Sequence, residues 1–160
     1  MNPNAISAQA RAPVLVMGIG NILLRDEGVG IRVIEAMRGM HLPPGVELVD
    51  GATGGLDLID VIAGRRKLIV IDAAQADAGP GTVFRMRPED LAPPGEGSIP
   101  QHEMGLLETL RAAEALGSPP NEVVIFGVQP KEVCWGLDLS DELAAVVPQV
   151  IELVIAELRA

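Results

Sequence analysis

The sequence predicts an α/β domain with a mostly parallel sheet and helices on both of its faces. Short continuous apolar runs, typical of strands buried on both faces, recur along the chain. Between them, apolar residues return at helical spacing, so strands and helices alternate as in parallel α/β folds. A length of 160 residues suits one domain, which we predict over residues 13–160 after a disordered tail at residues 1–12.

Five runs predict strands, and the character of each indicates its place in the sheet. In chain order they are residues 14–17, 46–49, 67–71, 82–86 and 122–126. The first is a continuous apolar run, and the second ends at Asp50, beside Gly51. The third is the strongest buried strand and ends at Asp72, whereas the fourth is shorter and more polar and suits an edge.

Four segments predict helices: about 27–39, one that begins near 56, one that begins near 103, and about 140–158. Asp26 is a plausible N-cap of the first helix, and Gly64 closes the second. The first three are predicted from apolar residues that share one face, namely Val33, Ile34 and Met37, then Leu56, Ile59 and Ile62, then Leu106, Leu110, Ala113 and Leu116.

Charge and composition exclude several classes of function. The net charge is −10, which repels phosphate backbones and anionic lipid, so we expect neither nucleic-acid nor membrane-surface binding. No apolar run is long enough to span a bilayer, so we expect no membrane insertion. Aromatic residues make up only 2% of the chain, which argues against stacking platforms for bases or sugars. Cys134 is the only cysteine, which excludes an internal disulfide and fits a cytoplasmic location.

Four candidate functional residues fall where ligands bind in such sheets, beyond the carboxyl ends of the strands: Glu27, Asp50, Asp72 and His102. Glu27, Asp72 and His102 offer two carboxylates and an imidazole, which suit a divalent ion with open coordination positions. Each also has a simpler explanation. Glu27 would complement a helix dipole, Asp72 would cap a turn, and His102 would be an ordinary loop histidine.

The residues give only partial support to two other kinds of site, a dinucleotide-binding site and a nucleophilic catalytic site. Gly18 and Gly20 begin a dinucleotide-binding fingerprint, but Leu23 occupies the position of its third glycine. No serine lies in a nucleophile elbow. Cys134 with His102 would form a thiol pair, although the simpler interpretation of Cys134 is a small loop hydrophobe beside Trp135.

Five segments in order resemble the hydrogenase maturation endopeptidases, and together they cover nearly the whole chain from about residue 14. They are residues 18–30, 50–53, 68–73, 102–106 and 126–130. The long first segment combined with the ordered later ones is specific, whereas any one of them alone is weak. One departure is Ala52, where many members have a second glycine after Asp-Gly.

The resemblance implies a fold, a reaction and a site. The fold would be a three-layer α/β/α sandwich with a five-stranded mixed sheet, in which strand four, about 82–86, is antiparallel. Family members remove a C-terminal extension from the large subunit of a nickel–iron hydrogenase after nickel insertion. The family's metal-binding positions map onto Glu27, Asp72 and His102, and a functionally important acid maps onto Asp50.

We therefore expect a nickel-dependent endopeptidase, with nickel supplied by the substrate, and zinc or cadmium able to occupy the site in vitro. Its partner would be the hydrogenase large-subunit precursor, met by a monomer. Candidate catalytic groups are Glu27, Asp72 and Asp50, the last as general base or positioning group. Three alternatives stay open: a metal carrier or checkpoint that binds the precursor without cutting it, a nucleotide-binding domain, and a peptidase with other substrates.

Overall fold

The computed structural model describes residues 11–53, 55–91 and 101–160, except the side chains of residues 56 and 101–104. Its strands are β1 (Val14–Gly18), β2 (Val46–Asp50), β3 (Lys67–Ala73), β4 (Val83–Met86) and β5 (Glu122–Val128). Its helices are α1 (Val29–Met37), α2 (Ile59–Ile62), α3 (Gln101–Ala115) and α4 (Asp141–Arg159). Short 3₁₀ turns cover Arg25–Gly28, Leu56–Leu58 and Pro88–Asp90.

The five strands form one sheet in the order β2-β1-β3-β5-β4. All neighbouring pairs are parallel except β4 and β5, which are antiparallel. The fourth strand therefore lies at an edge and runs against its neighbour, as the sequence and the resemblance predicted. Because β1 and β3 lie inside the sheet, they are buried along nearly their whole length.

Helices cover both faces of the sheet, which confirms the three-layer α/β/α sandwich. One core joins α1 and α4 to alternate strand residues such as Val16, Ile69 and Ile71. The other joins α2 and α3 to the intervening residues, such as Met17 and Val70. Both cores are built almost entirely from aliphatic side chains. This alternation also decides which face receives each acid at the strand ends.

Several predicted boundaries differ from the structure. The first helix begins at Val29 instead of 27, because residues 25–28 form a 3₁₀ turn. Strands β3 and β5 run two residues further than predicted, because they stay paired as far as Ala73 and Val128. Leu116 was predicted to continue the apolar face of α3, which is wrong, since α3 ends at Ala115 and Leu116 is 71% exposed.

Two further observations bear on the sequence predictions. Within residues 11–53, 55–91 and 101–160, no helix is long and apolar enough to cross a membrane. The tail predicted over residues 1–12 lies outside the described residues as far as residue 10, and it stays a prediction.

Candidate active site at the carboxyl edge of the sheet

Asp50 and Asp72 lie at the same edge of the sheet. Gly18, the last residue of β1, pairs with Asp50 of β2 and with Ile71 of β3, so Asp72 lies one residue beyond that level. Asp72 is only 5% exposed, whereas Asp50 is exposed. Strand alternation assigns Asp72 to the face of α2 and α3, with Leu68 and Val70. Asp50, the last residue of β2, belongs by the same rule to the face of α1 and α4.

Main-chain donors hold both aspartates. The Ala73 N–H donates to Asp72 Oδ1 over 2.8 Å, and the Ala52 N–H donates to Asp50 Oδ1 over 2.8 Å. Ala52 has φ of +48°, a left-handed conformation that glycine adopts more readily than alanine. This explains why a glycine suits the position. In this chain the turn nevertheless forms with alanine. The departure at Ala52 therefore leaves Asp50 held by the turn.

Glu27 lies in the 3₁₀ turn Arg25–Gly28, which packs against β3. Its carboxylate oxygen Oε2 is buried. The backbone here is crowded, because a Cβ on Gly20 would lie 1.9 Å from the Glu27 carbonyl oxygen. Gly20 also has φ of +146°, so only glycine fits this conformation and this close approach. The glycine turn after β1 therefore makes room for the turn that carries Glu27.

The same glycine turn has its amides committed to protein carbonyls. Ile19 N donates to Ile71 O over 2.9 Å, Gly20 N to Ala52 O over 2.7 Å, and Asn21 N to Glu27 O over 3.3 Å. A phosphate-binding loop needs such amides to point at the ligand. These hydrogen bonds weigh against the dinucleotide-binding alternative.

Asp26 does not cap a helix, so that prediction is wrong. It is fully buried within the 3₁₀ turn and accepts hydrogen bonds from the loop that follows β5. Lys131 N and Glu132 N donate to Oδ2 over 2.9 and 2.8 Å. Ser140 donates from its backbone N to Oδ1 over 2.7 Å and from Oγ to Oδ2 over 2.8 Å. Asp26 thus fastens the turn that carries Glu27 to the 131–140 loop.

The pKa of Asp26 reflects this environment. Burial raises it, but hydrogen bonds from Glu132, Ser140 and Lys131 favour the charged form, and the net shift is downward. Sequence reasoning missed this role because the nearest of the three donors lies 105 residues further along the chain. The adjacent acids Asp26 and Glu27 were the only signal in the sequence, and a local capping rule misassigned the first of them.

His102 is the second residue of α3, and its side chain lies outside the described residues. Two turns further along α3, Thr109 Oγ donates to Gly55 O over 3.0 Å, which connects the helix to the segment that follows β2. Leu106 also lines a small, largely apolar cavity beside Asp72. Among the described side chains, no group of three His, Cys, Asp or Glu residues lies close enough to hold a metal. The trio with His102 therefore stays a prediction.

The donors that are described fit a divalent ion. Glu27 and Asp72 are carboxylates from two different elements at one edge of the sheet. Glu27 has a buried carboxylate oxygen, and the side chain of Asp72 is buried. Such ligands, joined by one imidazole, leave coordination positions open for a substrate. Cys134 is exposed on the 131–140 loop, beside Trp135.

Comparisons with known proteins identify the family of this chain. A sequence model of the family described as hydrogenase maturation protease matches residues 31–157. The chain is 35% identical over 148 residues to the hydrogenase 2 maturation protease of Escherichia coli K12, covering 91% of this chain and 90% of that protein. It is 37% identical over 150 residues to the hydrogenase expression/formation protein HupD of Rhodobacter capsulatus, covering 92% and 71%.

A solved structure gives the same result. The hydrogenase maturating endopeptidase HybD of E. coli matches with a TM-score of 0.84 at 35% identity, covering 91% of both chains. Fold and sequence thus agree over nine-tenths of the chain, and the chain belongs to the hydrogenase maturation protease family.

Proposed function

We propose that this protein is the endopeptidase that removes the C-terminal extension of a nickel–iron hydrogenase large subunit after nickel insertion. One observation carries the proposal beyond family membership. His102 is the second residue of α3, and Leu106 of the same helix lines a cavity beside Asp72. Two carboxylates lie at the carboxyl edge of the sheet, namely Glu27, which has a buried oxygen, and Asp72, which has a buried side chain. This is the donor chemistry that a divalent ion carried by a protein substrate requires.

In this proposal the nickel arrives as part of the substrate. Glu27, Asp72 and His102 ligate it and so place the scissile bond against the edge of the sheet. Three protein ligands at an open edge bind the ion firmly only when the precursor completes the coordination shell. Zinc or cadmium would occupy the same donors in vitro. We place the reaction in the cytoplasm and expect a monomeric enzyme.

Asp50 has a separate role in the proposal. Its carboxylate is exposed at the edge, and the Ala52 N–H fixes the orientation of one of its oxygens. An exposed, oriented carboxylate suits a group that positions the cleaved segment or acts as general base. Asp50→Asn is expected to lower the cleavage rate, and cleavage at the wild-type rate would remove Asp50 from the mechanism.

The principal test is a gel assay for shortening of a nickel-loaded precursor. Glu27→Gln, Asp72→Asn and His102→Ala are each expected to leave the precursor uncut. Matched controls are Glu35→Gln, Asp57→Asn and His41→Ala, which change exposed residues of the same three types. The controls should cut at the wild-type rate. Full activity in all three site variants would refute the proposed nickel site.

The same assay separates an enzyme from a checkpoint protein. A wild-type protein that binds the precursor without shortening it would be a carrier or checkpoint. Equal cleavage of nickel-free and nickel-loaded precursors would remove nickel recognition from the proposal but leave the peptidase assignment.

A further inference from the structure

An exposed apolar surface lies on two loops near the carboxyl edge of the sheet. Four side chains form it, and we call it the apolar rim: Leu23, Val133, Trp135 and Leu137, with exposed fractions of 47%, 51%, 81% and 58%. They are four of the seven large hydrophobic side chains that are exposed among the described residues. Trp135 is the only tryptophan in the chain. Apolar side chains concentrated in this way mark interaction sites more often than scattered ones do.

The backbone joins the two loops directly. Gly136 N donates to Leu23 O over 2.9 Å, and Arg25 N donates to Gly136 O over 3.0 Å. Leu24 and Gly136 form a parallel bridge, as two short strands would. Leu23 therefore lies beside the segment that carries Trp135 and Leu137, and the rim is one surface built from both loops.

Hydrogen bonds fix the backbone of both loops, while the four side chains of the apolar rim are exposed. Arg25 Nε donates to Asp138 O over 3.0 Å, and Arg32 Nη2 donates to Leu137 O over 2.7 Å. Asp26 accepts hydrogen bonds from both ends of the 131–140 loop, at Lys131 and at Ser140. The exposure of the rim is thus a built feature of the fold. A preorganised apolar surface loses little conformational entropy when a partner covers it.

The same contacts fix the position of the apolar rim relative to the proposed active site. Leu23 lies four residues before Glu27, and Asp26 connects the turn that carries Glu27 to the loop that carries Trp135. A macromolecule whose scissile bond lies at Glu27 would extend over neighbouring surface, and this surface is apolar. Tryptophan is also among the residues that contribute most to protein interfaces. The net charge of −10 disfavours nucleic acid and anionic lipid as the occupant.

We propose that the apolar rim is the docking surface for the hydrogenase large-subunit precursor, which covers Trp135 with an apolar patch of its own while its scissile bond lies at Glu27. This inference rests on the proposed function, and it deepens that function by assigning substrate affinity to residues outside the metal-binding trio. Binding at the rim contributes equally before and during the reaction. Its loss therefore raises KM and leaves kcat unchanged.

Steady-state processing of the nickel-loaded precursor tests the proposal. Trp135→Ala is expected to raise KM about 30-fold with an unchanged kcat, as for the loss of one strong interface residue. Leu137→Ser is a second variant with the same expected direction. The matched control is Leu116→Ala, which removes a 71%-exposed side chain after α3. That position lies beside the amino edge of the sheet, since Ser118 O accepts from Gly64 N shortly before β3.

The outcomes separate this inference from the proposed function. Wild-type processing with a KM that Trp135→Ala does not change would overturn the docking surface and leave the peptidase intact. If the wild-type protein cuts no precursor, direct binding decides. Binding that Trp135→Ala weakens supports the rim in a non-cleaving protein, and absence of binding overturns it. A free protein that sediments as a dimer, and as a monomer after Trp135→Ala, would assign the rim to a second copy and refute the proposal.

Discussion

The two ends of the parallel strands stabilise their carboxylates in different ways. At the amino edge, buried Lys67 pairs with Glu157 over 2.8 Å, and Arg85 holds the same carboxylate through two hydrogen bonds of 3.0 Å. At the carboxyl edge, acids gather instead, and backbone amides donate to Asp50 and Asp72. The amino edge neutralises its carboxylate with cations of the protein itself. The carboxyl edge holds acids in place by backbone donors, which suits a cation brought by a substrate.

The comparison separates stability from function. The Arg85 guanidinium holds the pKa of Glu157 down to about 2, against the opposing effect of burial and with further help from Lys67. A closed network of this kind has no coordination position to offer. We therefore expect substitutions in the ion-pair network of the amino edge to lower the free energy of unfolding, and substitutions of the acids Glu27, Asp50 and Asp72 to lower the cleavage rate.

The largest effect is expected at the glycine turn of the carboxyl edge. In Gly20→Ala, the new Cβ would lie 1.9 Å from the Glu27 carbonyl oxygen, at a φ that alanine rarely adopts. We expect a loss of about 4 kcal/mol in the free energy of unfolding, measured by urea denaturation. Gly39→Ala is the control, because nothing lies within 4 Å of its added Cβ. Equal stability of the two variants would show that the turn is not crowded.

Glu157→Gln should cost about 3 kcal/mol of unfolding free energy, because buried Lys67 then keeps only the longer, 3.5 Å ion pair with exposed Glu122. Processing of the precursor should continue at the wild-type rate at temperatures where the variant is folded. A variant that is as stable as the wild type would show that the network contributes little. A folded variant with impaired processing would break the proposed separation of the two edges.

The pH dependence of stability should carry the signature of the same residue. Folding lowers the pKa of Glu157 from 4.5 to about 2, so its contribution is full above pH 4.5 and declines as the pH falls towards 2. The difference in unfolding free energy between wild type and Glu157→Gln should therefore shrink across this window. A difference that stays constant from pH 6 down to pH 3, in urea titrations at each pH, would contradict the assigned ion pairs.

Asp26→Asn should have a smaller effect on stability, about 2 kcal/mol, because one carboxylate oxygen becomes a donor that faces backbone donors. It should also lower the processing rate, since the turn that carries Glu27 loses the side-chain part of its attachment to the 131–140 loop. The two readouts are urea denaturation and precursor cleavage. Unchanged cleavage by the folded variant would show that Asp26 does not position Glu27.

The sequence was sufficient for features that depend on local pattern. The runs that became β1 and β3 are apolar because both faces are covered, and Asp50 and Asp72 could be found as acids at strand ends. Features that depend on distant partners were not accessible. The role of Asp26 requires donors more than 100 residues away, and the extension of β3 to Ala73 requires its pairing with β5.

Leu116 shows the limit of periodicity within one element. Its spacing continues the apolar face of α3, but Gly117, with φ of +80°, lies just beyond the end of that helix. A residue after the last turn no longer follows the helical face, so spacing alone places it wrongly. His102 differs, because it was predicted in the loop before this helix and is instead the second residue of α3, while its side chain lies outside the described residues.

The most direct test compares the same chemical change at the two edges. Glu27→Gln and Glu157→Gln are assayed with nickel-loaded precursor at a temperature where both variants are folded. We predict that Glu27→Gln lowers the cleavage rate more than about 100-fold, since even outer-shell partners of metal ligands cost about 10- to 100-fold. Glu157→Gln should cleave at the wild-type rate. Cleavage by Glu27→Gln at the wild-type rate would contradict the account.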